Sequence, residues 1–227
     1  MMRGLQTRRE AYHFEPRWPV ALAILVVIIL FAALPGRIRL LPALVTYVVG
    51  FVVLIPIVAV GLTAAKPPWP RIERTVTLIF VVFSGGATLA NLANLIEAML
   101  YRSTEVGGVP LLATSVAVWV SNALIFSLLY WQIDRGGPEA RITVGASTRP
   151  DWLFPQEEAP TADVPQGWEP AFVDYLYLGY STATAFSTTD AMPLTPRAKL
   201  LMMLESAISL VTVIVLAARA INILGSQ

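Results

Sequence analysis

The side chains of this 227-residue chain that can do chemistry are few, and most stand together near its C-terminal end. Thr182, Thr184, Ser187, Thr188 and Thr189 form a run of hydroxyls that closes on the carboxylate of Asp190. Hydroxyl oxygens gathered around an axis can coordinate a partly hydrated cation, and an acid at the mouth adds attraction. The same hydroxyls can instead bond back to helical carbonyls or across to a neighbouring helix. Residue types leave both readings open. A second polar set is Asn91, Asn94 and Glu97, which share one helix face at spacings of three. It reads either as the lining of a pathway or as hydrogen-bonding glue between membrane helices; the second is the commoner use of amides. Glu205 and Arg219 are the other ionisable residues set within apolar sequence.

What is missing narrows the chemistry further. Cysteine is absent, which removes disulfides, thiolate nucleophiles and sulfur ligands. The one histidine, His13, lies in a polar tail, so a zinc site and a His-dependent triad are close to excluded. No nucleophile–base pairing is visible, and neither enzymatic activity, a cofactor nor a metal site is expected. A net charge of +1 gives no footprint for nucleic acid.

The elements that must position these residues are apolar helices. The chain is 56% hydrophobic and 14% charged, where soluble domains carry about a quarter charged residues. The charges gather in a tail, in tight turns and in one long loop, as a bilayer requires. The composition predicts an all-α integral membrane protein, multi-pass in the cell membrane with lipid as its partner. The expected architecture is a bundle of about five transmembrane helices plus one short re-entrant or spanning helix. Residues 1–17 form a polar tail. A four-helix membrane region covers 18–131, in blocks 18–34, 41–65, 76–101 and 110–131, with the turn 66–74 ending the second block. Pro56 is expected to kink that block. Tyr130 and Trp131 close the fourth block in the manner of an interfacial aromatic belt. Residues 132–170 hold six prolines and carry a net charge of −4, which predicts an acidic extramembrane loop with no packed domain of its own. The last region, 171–227, splits into a short helix over 171–185, a turn over 184–190 and a long helix over 196–224. Thr195 is placed to cap that helix, with Pro196 as its first residue.

The stretch beginning FVDYLYLGYSTATAFSTTDAMPLTPRAKLL resembles the pore module of bacterial potassium-channel-like proteins. The likeness covers about a quarter of the chain, roughly residues 171–224. It rests on the order and spacing of DYLYLGYST, Asp190, the PLTPRAKLL turn and a long helix with Glu205 in its second turn. The resemblance implies a pore helix, a filter-like turn, a pore-lining helix and a homotetramer, with monovalent cations as the species passed. Family filters read Thr-Thr-Val-Gly-Tyr-Gly-Asp. Aligned on Asp190, this chain places Thr184 and Ala185 on the two threonines, Phe186 on Val, Ser187 and Thr189 on the glycines, and Thr188 on Tyr. Ser187 and Thr189 cannot adopt the glycine backbone angles cheaply, and Phe186 has no room among close-set carbonyls. Potassium selectivity of the familiar kind is therefore not expected. Glu205 would face the pore vestibule in this arrangement, or would pair with Arg197 or Lys199 in a merely packed one.

Charge distribution argues against the family's orientation. A pore loop entering from outside requires an external N-terminus, which leaves only Arg37, Arg39, Arg102 and Arg219 of the sixteen basic residues inside. That reverses the positive-inside rule. A cytoplasmic N-terminus satisfies it whether 171–189 crosses the bilayer or re-enters from the cytoplasmic face. The sequence thus points to an ion-channel-like membrane protein with a non-standard pore loop. The alternatives are a non-conducting scaffold or partner-binding subunit, and a small six-span transporter.

Overall fold

The computed structural model describes residues 15–35, 42–63, 66, 68–101, 108–144, 149–160, 162–165, 168–184 and 190–224. The protein is all-α and membrane-embedded in character. Its long helices are α1 (Trp18–Ala33), α2 (Ala43–Thr63), α3 (Trp69–Tyr101) and α4 (Gly108–Ile133). After α4 come a 3-10 turn over 134–136, α5 (Pro138–Val144), β1 (Trp152–Leu153) and α6 (Pro155–Glu158). The chain ends with α7 (Phe172–Thr184), β2 (Met192–Pro193) and α8 (Pro196–Leu224). Helices α2, α3, α4 and α8 are each long and apolar enough to cross a bilayer, and α1 is a shorter apolar helix.

Helix α3 begins earlier than its hydropathy suggests. Residues 69–74, expected in a turn, form its first turns instead. Pro70 is harmless there, because the first N–H groups of a helix have no internal partner anyway. Helix α2 runs through Pro56 as a single helix.

One helix organises the rest. Of its apolar span, α4 buries 67%, against 22% to 39% for α2, α3 and α8. It packs against α1, α3, α7 and α8. Its sequence explains this, since Thr114, Ser115, Ser121, Asn122 and Ser127 are all buried. Small and hydroxyl side chains let helix backbones approach closely where lipid offers no hydrophobic drive. The approach is close at Gly179 of α7, where a Cβ would lie 2.3 Å from Ser127 Oγ and 3.0 Å from the Ala123 carbonyl oxygen.

The segment after α4 folds back onto the end of the bundle. Arg135, Gly136 and Gly137 all take positive φ, which reverses the chain sharply. The sequence predicts a loop with no packed domain of its own over residues 132–170, and the described part of it packs onto the bundle. Trp152 and Phe154 are buried, and β1 pairs antiparallel with β2 through Trp152–Pro193 and Leu153–Met192. Aromatic side chains anchor it: Trp152 lies on Tyr130, and Phe154 on Tyr175 and Trp168. The prolines shape the turns between these anchors.

Helix α8 starts as its sequence implies. Thr195 Oγ1 accepts the Ala198 N–H at 3.2 Å and donates to Asp151 Oδ1 at 2.6 Å. Thr195→Ala is expected to cost about 1 kcal/mol, the usual worth of an N-cap, measured as the loss of unfolding free energy in detergent. A change indistinguishable from zero would mean that the cap is redundant.

Candidate functional site

Helix α7 has 13 residues, about 20 Å at the α-helical rise, and is too short to cross a bilayer core. Both of its flanks are held at one end of the bundle. At its start, the Phe172 N–H donates to Glu15 Oε1 at 2.5 Å, and Glu15 precedes α1. Beyond it, the Leu194 N–H donates to the Asp151 carbonyl at 2.8 Å, and Arg197 pairs with the Asp151 carboxylate. Its far end lies among other helices, where unpaired carbonyls would be costly. Those of Ser181, Thr182 and Ala183 are met by side chains. Trp119 Nε1 donates to the Ala183 carbonyl at 3.2 Å and Ser206 Oγ to that of Thr182 at 3.1 Å. Thr184 Oγ1 donates to the Ser181 carbonyl at 2.8 Å, and Thr182 Oγ1 to that of Leu178, also at 2.8 Å.

Two of the five candidate hydroxyls thus bond back within their own helix. Ala185, Phe186, Ser187, Thr188 and Thr189 lie outside the described residues. Asp190 is exposed and accepts from Tyr177 Oη at 3.2 Å. With Asp174, Tyr177 and Gln156 it borders a small cleft beside α7.

Glu205 is placed differently from either expectation. It is the tenth residue of α8 rather than a second-turn residue, and it is 0% exposed. A side chain covered by its own chain offers nothing to a central vestibule. Nor does it meet Arg197, which is turned to Asp151. Its partner is Tyr130, whose Oη donates to Glu205 Oε2 at 2.5 Å. One turn along α8, Ser209 Oγ accepts from Asn122 Nδ2 at 2.9 Å, and the same nitrogen donates to the Glu205 carbonyl at 3.1 Å. Tyr130 and Trp131 are therefore not an interfacial belt. Both are fully buried, because α4 is the central helix and turns them inward.

No family model, curated protein or solved structure matches this chain. The chemistry of the site is accordingly read from its geometry.

A larger polar network ties the same end together. Arg17 Nε pairs with Glu73 at 3.0 Å, its Nη1 with Glu15 at 3.1 Å, and its guanidinium lies over the Trp131 ring at 5.1 Å. Trp131 Nε1 donates to the Glu15 carboxylate at 3.1 Å. Arg141 Nη1 donates to the Trp131 carbonyl at 3.0 Å, and its guanidinium lies 5.2 Å from the Tyr175 ring centre. Tyr175 Oη donates to Asp134 Oδ2 at 2.5 Å, and the Asp151 N–H to Asp134 Oδ1 at 2.7 Å. Glu15, Trp131, Asp134, Arg141 and Asp151 thus connect the start of α1, the end of α4 and both flanks of α7. Apart from Trp131, read from the sequence as a belt residue, sequence patterns do not single these residues out. The available signals were the four-residue step from Glu205 to Ser209, which puts both on one helix face, and Asn122, the most polar residue of its block. Asn91 is buried, Asn94 half-buried and Glu97 exposed, so the three do not form a continuous buried line.

Proposed function

We propose that the chain is a channel-like protein of the cell membrane in which α7 enters from one face, β2 lies back at that face, and α8 crosses beside them. The observation that carries this reading is a half-length helix that ends among other helices while both its flanks are tied to one end of the bundle. A helix C-terminus carries partial negative charge, which favours a cation near the end of α7. Asp190, Asp174 and the acidic loop raise the local cation concentration at the mouth. Monovalent cations are the species proposed, in a homotetramer arranged around α8, and without a standard potassium filter. The face shared by the N-terminal flank, the loop and the mouth is the cytoplasmic one, because that orientation gathers most basic residues inside.

Flux of monovalent cations through the purified chain in liposomes tests the proposal. Thr184→Leu is expected to reduce flux at least several-fold, and Asp190→Asn to lower cation preference over anions. Folded protein that gives no flux above empty liposomes would overturn it. One observation favours the non-conducting alternative. The outward residues Leu200, Met203, Leu204, Leu210, Val211 and Ile214 of α8 are all apolar, while Glu205, Ser209 and Thr212 point into their own chain. In the absence of flux, α7 and α8 act as packing elements of a scaffold.

A further inference from the structure

The channel proposal makes no use of Glu205, although a carboxyl group within a membrane bundle is expensive to keep. Its position follows from helix geometry. Residue 205 lies about 14 Å along α8 from Pro196, well inside a bilayer core. Helical side chains tilt toward the N-terminus of their own helix. Helices α4 and α8 reach this end of the bundle with opposite polarity, so Tyr130 tilts into the membrane and Glu205 tilts back toward it. Their side chains meet at 2.5 Å. Above them Trp152 closes the site, its ring 4.7 Å from that of Tyr130 and its Nε1 on Met202 Sδ at 3.3 Å.

The carboxyl is half satisfied. Oε2 accepts from Tyr130, whereas buried Oε1 has no hydrogen-bond partner among the described residues. Of the charged and titratable groups on the neighbouring elements, Lys199 of α8 is exposed and the following are engaged elsewhere. On α8, Arg197 pairs with Asp151; on α3, Glu73 pairs with Arg17; on α7, Tyr175 bonds Asp134, Tyr177 bonds Asp190, and Asp174 accepts the Ala171 N–H. The surroundings also distinguish among ligands. A metal cation needs several lone pairs, but the group bonded to this carboxyl is a donor, Tyr130 Oη, and the nearby Asn122 amide nitrogen is spent on the Glu205 backbone carbonyl and Ser209 Oγ. A proton needs only one free acceptor, and Oε1 is one.

We propose that Glu205 is a proton-binding site within the membrane bundle, with Tyr130 orienting the carboxyl and Oε1 receiving the proton. In the step an O–H bond forms at Oε1 as hydronium gives up its proton and leaves as water; Tyr130 keeps its own proton, and nothing is oxidised or reduced. Occupancy changes the charge at the α4–α8 contact by one, so the occupied site holds α8 against α4 and the vacant one loosens it.

Infrared difference spectra of the reconstituted full chain, taken between alkaline and acid buffer, test this without requiring conduction. A carboxylic C=O band is expected to appear on acidification, to be lost in Glu205→Gln and to shift in Tyr130→Phe, where the hydroxyl donor is gone. A spectrum unchanged by Glu205→Gln would overturn the proposal. Should that variant fail to fold, Tyr130→Phe decides: a shifted band supports the site, and an unshifted one sinks it. A protein that passes no ions but shows the band would retain this site while losing the channel reading.

Discussion

Asp134→Ala is expected to lower the unfolding free energy by about 3–5 kcal/mol, the range for removing one partner from a buried charged network. Asp134 is 0% exposed and joins the end of α4 to α7 and to the segment that leads into β1. Its carboxylate accepts from Tyr175 Oη of α7 and from the Asp151 N–H that precedes β1, with Arg135 Nε at 3.5 Å. Alanine leaves the N–H and the hydroxyl without acceptors and leaves Arg135 and Arg141 with less negative charge nearby. Denaturant or thermal unfolding in detergent micelles would measure the loss. Asp134→Asn keeps an acceptor oxygen and should lose less. A loss below about 1 kcal/mol in Asp134→Ala, the scale of a solvated surface pair, would show that the network is not buried in the way described.

Gly179→Leu is expected to separate α7 from α4. The Cβ of the introduced leucine alone would fall 2.3 Å from Ser127 Oγ and 3.0 Å from the Ala123 carbonyl oxygen. A serine hydroxyl can rotate away, but a helical carbonyl cannot. Overfilling a packed contact costs about 1–3 kcal/mol and occasionally more, and here the backbone must also move. The readout is favourable because the chain has no cysteine, so an introduced Ala183→Cys is its sole thiol. Ala183 is buried, and a thiol there should react slowly in the parent and many-fold faster when combined with Gly179→Leu. The milder Gly179→Ala should be partly rescued by Ser127→Gly, a coupling expected only between touching residues. Equal labelling rates with and without Gly179→Leu would rule out the close approach.

Much of the architecture was legible in the chain because it follows from local solvent preference. Apolar blocks separated by charged turns require helices in a bilayer, and residues 43–63, 108–133 and 196–224 form them. Thr195 and Pro196 announce the start of α8 through short-range chemistry alone. Charge at the front of α3 hid its first turns, because hydropathy reports the lipid-facing part of a helix and not its full length.

The partners of the polar residues were not legible. Nearness in sequence pairs Glu205 with Arg197, yet eight residues along a helix separates them by about two turns and places them at different depths. The actual partner of Glu205 is Tyr130, which comes from another helix 75 residues away. Tyr130 and Trp131 look like belt residues when only their place at the end of an apolar block is considered. They are buried because α4 is surrounded, and whether a helix is central depends on how the others pack around it. Local composition was enough to establish a helical membrane protein with a short helix before its last span. That this short helix has both flanks tied to one end, and that the acid of α8 faces inward, emerged from the packed fold alone. Side-chain hydrogen bonds between helices act over about 3 Å, and only packing brings such distant residues that close.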